Sequence, residues 1–221
     1  MYNKPTQITS WSYSRYSLYE ECPAKAKYKF IDKLPEPGNA AMERGNTIHK
    51  LAELYTKGEI KKLPPELKLF KEEFAELKKS KPIVEETWAF TSKWQKTTYN
   101  DWTGCAVRIK VDVACPDDET LYVIDHKTGK PRDGYDAQLS LYALGGMLMF
   151  PKAKIISTQL WYLDAGETVA KEYQADQLTS LMLDWDKRTR PMLSDTRFAP
   201  KPGNGCRWCP YSKSKGGPCK F

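Results

Sequence analysis

The sequence predicts an α/β protein with a mixed central sheet flanked by helices, and three observations carry that reading. In the first third, apolar residues recur at helical spacing, as in Ile48, Leu51, Ala52 and Tyr55. After Pro82 the period drops to two, with Val107, Ile109, Val111 and Val113 alternating with Arg108, Lys110 and Asp112. Helical and strand patterns then interleave towards the C-terminus, the order expected of one α/β domain with a helical N-terminal lobe.

A first helix starts at Ser12 or Ser14, either a suitable N-cap, and runs toward Phe30 with an interruption or kink at Pro23. Pro35, Pro37 and Gly38 mark a loop. A second helix fits Ala40 to Tyr55, closed by Gly58, and a third fits Glu66 to Lys79 with Leu67, Phe70, Phe74 and Leu77 on one stripe. Ile83 to Thr91, Cys105 to Ala114 and Leu121 to Lys127 read as strands, the last two joined as a hairpin through Cys115-Pro116-Asp117-Asp118. Tyr135 to Met149 is helical, Lys154 to Leu163 and Thr168 to Tyr173 are strands, and Ala175 to Arg190 returns to helix. From Phe198 onward the chain is rich in Pro, Gly, Cys and Lys and needs something other than a core to order it. The expected division is a helical lobe over 1–81, a core over 82–195 and a cysteine-rich tail over 196–221.

Composition bounds the function. With 221 residues, 40% hydrophobic and 12% aromatic, the chain is long enough to bury a core and too apolar to be disordered. Its mean hydropathy is −0.65, and no apolar run approaches the roughly 20 residues of a membrane span. The opening MYNKPTQITSWSYSRY lacks the apolar centre of a signal peptide, so a cytoplasmic location is expected, a host cytoplasm if the protein is a phage's. The net charge is +7, from 35 Lys+Arg against 28 Asp+Glu. That excess is modest, but it concentrates: Arg197, Lys201, Arg207, Lys213, Lys215 and Lys220 follow Thr196 with no acidic residue among them. Lys25-Ala26-Lys27-Tyr28-Lys29 is likewise basic around an aromatic, a pattern compatible with nucleic acid and with an ordinary solvated face.

Four features carry chemistry. Asp112 lies on one hairpin strand and Asp125-His126-Lys127 on the other. Asp125 and Lys127, two apart on a strand, project from the same face, and hairpin pairing can bring Asp112 beside them. Clustered carboxylates repel, and a divalent cation with oxygen ligands relieves them. A cross-strand Asp112–Lys127 salt bridge is the bland alternative. His49 sits beside the apolar stripe of the second helix, as a packed residue or as a metal ligand. Gln138 and Tyr142, at i and i+4, share one face of the helix after the hairpin. Cys206 and Cys209 form a CxxC pair with Cys219 in the same tail. Cys22 is the best fourth ligand for zinc or an iron–sulfur cluster, whereas Cys105 and Cys115 read as buried small residues.

Taken in order, Cys22-Pro23, Arg44-Gly45-Asn46-Thr47-Ile48-His49, Asp112, Val123-Ile124-Asp125-His126-Lys127-Thr128-Gly129, Gln138-x3-Tyr142 and Cys206-x2-Cys209-Pro210-Tyr211 with Cys219 resemble the RecB-like branch of the PD-(D/E)XK nuclease superfamily. The resemblance is nearest to stand-alone iron–sulfur exonucleases of the CRISPR-adaptation or phage recombination type. It implies a restriction-endonuclease-like core. It further implies a Mg²⁺ or Mn²⁺ site made by His49, Asp112, Asp125 and the main-chain carbonyl of His126. Lys127 would position the attacking water, Gln138 and Tyr142 would hold the DNA or the site, and the cysteines would hold a structural [4Fe-4S] cluster, with Zn²⁺ as the alternative. Glu85 or Glu86 would match an acidic residue of some members. The implied substrate is DNA with a free end, the implied partner a recombination or CRISPR-adaptation protein, and no membrane is involved. A DNA-binding or assembly subunit and a structure- or sequence-specific endonuclease are the competing readings.

Overall fold

The computed structural model describes residues 6–131 and 133–221. They fall into two compact units: Asn39–Leu183, and the described residues up to Gly38 together with Asp184–Phe221. Among the described residues no helix is long and apolar enough to cross a membrane.

Asn39–Leu183 holds a six-stranded sheet. Two helices precede it, α3 (Ala40–Thr56) and α4 (Lys71–Ser80). The strands are β1 (Ile83–Phe90), β2 (Lys96–Thr97), β3 (Val107–Asp117), β4 (Thr120–Lys127), β5 (Ile155–Tyr162) and β6 (Glu167–Gln174). Their spatial order is β2-β1-β3-β4-β5-β6, and α5 (Asp136–Met149) connects β4 to β5. That connection makes β4 and β5 parallel, while every other neighbouring pair is antiparallel. The expected α/β class with a mixed, helix-flanked sheet is what the chain adopts.

One face of the sheet meets α5. Gly145 and Gly146 allow a close approach there: a Cβ on the first would lie 2.8 Å from Trp88 and Ile109, and on the second 2.8 Å from Leu121. Ile48 and Ala52 of α3, Leu67 and Phe70 of a 3-10 turn (Pro65–Phe70), and Phe74 and Leu77 of α4 form a buried cluster with Val113, Cys115, Ile124 and Trp161 of the sheet and Leu163 just after β5. The expected stripe Leu67, Phe70, Phe74, Leu77 is therefore all core, although its first turn winds more tightly than an α-helix. Asn39 caps α3 by accepting from the Met42 N–H at 2.9 Å.

In the other unit the stretch toward Phe30 is two helices, α1 (Tyr13–Glu21) and α2 (Pro23–Phe30). Cys22 between them is extended, and Pro23 begins α2 rather than kinking a continuous helix, since the first helical position needs no N–H donor. Trp11 stacks on Trp185 with centroids 5.3 Å apart, and Tyr16 meets the same indole edge-on at 5.2 Å. Trp185 belongs to α6 (Leu178–Ser194), in which Pro191 is accommodated near the end. The tail beyond it has only short 3-10 turns, Asn204–Trp208 and Lys213–Lys215.

Candidate active site

The hairpin register pairs Val113 with Ile124 and Ala114 with Val123. The ladder stops there, and one residue beyond it lie Asp112 on β3 and Asp125 on β4, so the two carboxylates come from adjoining strands. The placement of Asp112 involves a break in the pleat. Ile109 and Val113, four residues apart, would share a face in a regular strand. Ile109 nevertheless lies under Gly145 of α5, whereas Val113 belongs to the cluster beneath α3 and α4. The sheet exchanges faces between them. On β1 the register passes from Val84↔Val113 to Glu86↔Val111, and Glu85, the residue between, has φ +58. A non-glycine residue in that region marks a locally imposed backbone, and here it lies directly opposite Asp112.

Both carboxylates are buried, and each has its own partners. Asp112 Oδ2 accepts the His126 backbone N–H at 2.7 Å and lies 3.2 Å from His49 Nδ1. Asp125 Oδ2 pairs with Lys127 Nζ at 2.5 Å. Asp125 Oδ1 accepts the Tyr142 hydroxyl and, at 3.4 Å, Gln138 Nε2, and Gln138 also donates to the Tyr142 oxygen at 2.9 Å. The structure thus gathers His49, Asp112, Asp125, Lys127, Gln138 and Tyr142 into one place. A cross-strand Asp112–Lys127 bridge is not the pairing that forms, because Lys127 is taken by the carboxylate on its own strand.

The electrostatics separate the two acids. Burial works to raise Asp112, but the hydrogen bond to His49 and the charges of His126 and His49 outweigh it and hold the carboxyl at about 2. For Asp125 burial prevails: its pKa is raised, with the neighbouring Asp112 charge adding to the effect and Lys127 opposing it. Burial likewise works to lower His49, and Asp112 overrides it and raises the imidazole. Tyr142, buried against Asp125, is raised well above the ordinary phenol and stays a donor. His126 is pushed down to about 4 by burial. Its neutral ring sits 5.3 Å from Phe74 and 5.9 Å from Trp161, with Nε2 making no hydrogen bond.

A second network ties three segments at this site. Arg44 of α3 donates to both oxygens of Asp164, at 2.9 and 2.6 Å, and Asp164 Oδ2 also accepts the Gly129 N–H at 2.7 Å. Asp164 follows β5, and Gly129 is two residues past Lys127. Sequence reading did not single out Asp164, whose only signal is an acidic side chain in the Asp164-Ala165-Gly166 turn. Of the two candidate glutamates, Glu85 pairs with Lys110 at 2.6 Å, and Glu86 accepts from the Trp88 indole at 2.7 Å.

The donor set suits a hard divalent cation: two facing carboxylates, one with a buried oxygen, Asp125 Oδ2, that has an ion pair but no hydrogen bond. Among the described residues, no three His, Cys, Asp or Glu side chains converge as ligands of a single ion. His49 and Lys127 instead hold one carboxylate each.

Within the other unit, Cys22, Cys206, Cys209 and Cys219 all line one cavity of about 180 Å³. Two of the sulfurs accept backbone N–H groups, Cys22 from Lys201 and Cys206 from Gly203, each at 3.4 Å. Burial raises the Cys209 thiol, and the neighbouring Cys22 and Cys219 add to that, while Lys25 opposes it. Cys105 and Cys115 are core residues of Asn39–Leu183, bonded to the Val107 carbonyl and the Ser80 hydroxyl.

The mixed sheet thus carries two buried acids on adjoining strands, with a lysine two residues after the second. The PD-(D/E)XK nuclease superfamily model matches residues 10–214, nearly the whole chain, and the chain belongs to that superfamily. Among solved structures it resembles a candidate exonuclease from Eubacterium rectale, with 12% identity, a TM-score of 0.52 and coverage of 94% of this chain and 90% of that one. The protein SSO0001 aligns with 14% identity and a TM-score of 0.45, covering 96% of this chain and 88% of that one. No curated protein matches it.

Proposed function

We propose that the chain is a divalent-metal-dependent exonuclease that hydrolyses DNA from its ends. The observation that carries this reading is the placement of buried Asp112 and Asp125 just past the paired end of the β3–β4 hairpin, with Lys127 on Asp125, in a chain of the nuclease superfamily. His49, Asp112, Asp125 and the His126 carbonyl would hold Mg²⁺ or Mn²⁺. The bound cation supplies Lewis-acid stabilisation of the charge that grows on the phosphate. Lys127, released from Asp125, orients the attacking water through its ammonium and offsets phosphate charge. The water oxygen bonds to phosphorus as a P–O bond to a deoxyribose breaks, and the proton the water gives up is balanced by one taken up by the departing oxygen, leaving a phosphate monoester and a hydroxyl end. Tyr142 and Gln138 fix the Asp125 carboxylate by donating to it, and Arg44 with Asp164 holds the backbone after Lys127.

For the tail, four thiols around a shared space, two of them hydrogen-bonded by backbone N–H groups, support a structural iron–sulfur cluster. Zinc, bound by Zn–S bonds of about 2.3 Å, asks the sulfurs to close on a point. Iron and sulfide in equal amounts in anaerobically purified protein support the cluster, and stoichiometric zinc without iron overturns it.

The activity test compares end-labelled linear DNA with closed circles, each with Mg²⁺, Mn²⁺ or EDTA, and with Asp125→Ala as control. Metal-dependent loss of linear DNA alone, absent in the variant, is expected. Cutting of circles would make the protein an endonuclease. No cleavage with any metal would make it a binding or assembly subunit.

A further inference from the structure

The segment between β2 and β3 exposes two aromatic rings that packing does not use: Trp102 is 84% exposed and Tyr99 54%. The loop that presents them is internally braced. The Asp101 carboxylate accepts from the Thr97 hydroxyl at 2.6 Å, from the Thr103 hydroxyl at 3.1 Å and from the Thr103 and Gly104 N–H groups at 3.2 and 2.8 Å. The backbone closes around it, with Asp101 N–H donating to the Thr98 carbonyl and Cys105 N–H to that of Asp101. Arg108 lies 5.0 Å from the Tyr99 ring centroid and donates to the Tyr99 carbonyl at 3.2 Å.

We propose that Trp102 and Tyr99 form a base-stacking platform for single-stranded DNA. This rests on the nuclease reading of the same unit and extends it to how the strand is held. Charge and composition favour a nucleic acid over a protein. Between Thr91 and Arg108 the only acid is Asp101, already engaged inward, against Lys93, Lys96 and Arg108. Neither ring is flanked by an exposed aliphatic side chain. A protein contact draws on a continuous apolar patch, whereas flat rings among hydroxyls and cations suit bases and phosphates. The loop feeds straight into β3, whose six residues from Val107 to Asp112 span roughly 17 Å. At about 3.4 Å per nucleotide, the stacked bases would lie five or more nucleotides from the scissile bond.

The test titrates a 30-nucleotide single strand carrying 2-aminopurine at successive positions into the full-length protein in EDTA, so that binding is read without cleavage. Trp102→Ala should weaken binding about tenfold and abolish the quenching of one or two adjacent 2-aminopurines. Trp102→Phe should keep most of both. The salt dependence should be unchanged in Trp102→Ala, because a ring neutralises no phosphate, and shallower in Lys93→Ala. Equal binding and quenching by wild type and Trp102→Ala, in protein that still degrades linear DNA, overturns the platform and leaves the nuclease standing. Wild-type protein that neither binds nor cleaves DNA overturns the nuclease reading itself. Unchanged DNA binding with lost self-association in sedimentation assigns the rings to a protein contact and overturns the proposal.

Discussion

Asn39–Leu183 and the cysteine-bearing unit reach order by different physical routes. In the first, a six-stranded sheet is covered on both faces, and buried Phe74, Trp161, Ile124 and Val113 press on one another beneath the very strands that carry the acids. In the second, Trp11 and Tyr16 pack on Trp185 of α6, but beyond Phe198 only Tyr211 and Ser212 are buried. That tail is held by short turns and by the Tyr211 hydroxyl donating to the Leu34 carbonyl at 3.3 Å. A catalytic residue needs a scaffold rigid enough to hold two repelling carboxylates, which a sheet supplies from apolar burial alone. A segment dense in glycine, proline and lysine has too little apolar surface for that.

Five substitutions break or sharpen the contrast. The largest effect is expected from Asp125→Asn, which should lower metal-dependent cleavage by about a thousandfold or more. Its melting temperature should stay near wild type, since the amide still fills the site. Phe74→Ala should cost about 3–5 kcal/mol of unfolding free energy in denaturant titration, because it empties a fully buried ring site under His126 and Trp161. Cys219→Ser should leave that denaturant transition in place and make the C-terminal tail the first site of limited proteolysis. Protection of the tail equal to wild type would show that it needs no cross-link.

Asp164→Ala should reduce turnover about tenfold by loosening Gly129 behind Lys127, with little change in stability, as steady-state kinetics and melting curves can check. The smallest effect belongs to Tyr19, whose hydroxyl donates to Asp195 at 2.9 Å. Burial, then the Asp195 hydrogen bond and charge, raise its pKa from 10.0 to about 12. The folded form therefore keeps a proton that the unfolded form loses. Its contribution is present below pH 10 and disappears as the pH rises to about 12. Tyr19→Phe should flatten that part of the stability–pH curve by a measurable but small amount.

Much of this was legible in the residues. The hairpin, the helix after it, and the pairs Asp125 with Lys127 and Gln138 with Tyr142 follow from period-two and i,i+4 arithmetic, which depends only on local geometry, whereas the meeting of the helix pair with the acids was an expectation of the family resemblance. Three features were not. The face exchange at Glu85 and Asp112 requires two strands to deform together, and neither strand's sequence records its neighbour's backbone. The Arg44–Asp164–Gly129 link joins positions more than 30 residues apart through side chains that look like ordinary surface charge. The short strand β2 exists because Lys96 and Thr97 pair with Phe90 and Ala89, not because two residues have a strand pattern. The partner of Lys127 was also open: strand geometry allows either aspartate, and burial of Asp125 beside it decides.

The adjacent glycines of α5 act as a spacer. Leaving out two methyl groups sets the height of the helix above Trp88, Ile109 and Leu121, and the same helix carries Gln138 and Tyr142 at its other end. From Gly145 back to Gln138 is about 10 Å of helix, so a rise at the glycines tilts the donors that meet Asp125. A methyl added at Gly145 is thus a lever on the carboxylate two turns away. The thickness of the gap between helix and sheet thus helps to set where those donors meet Asp125.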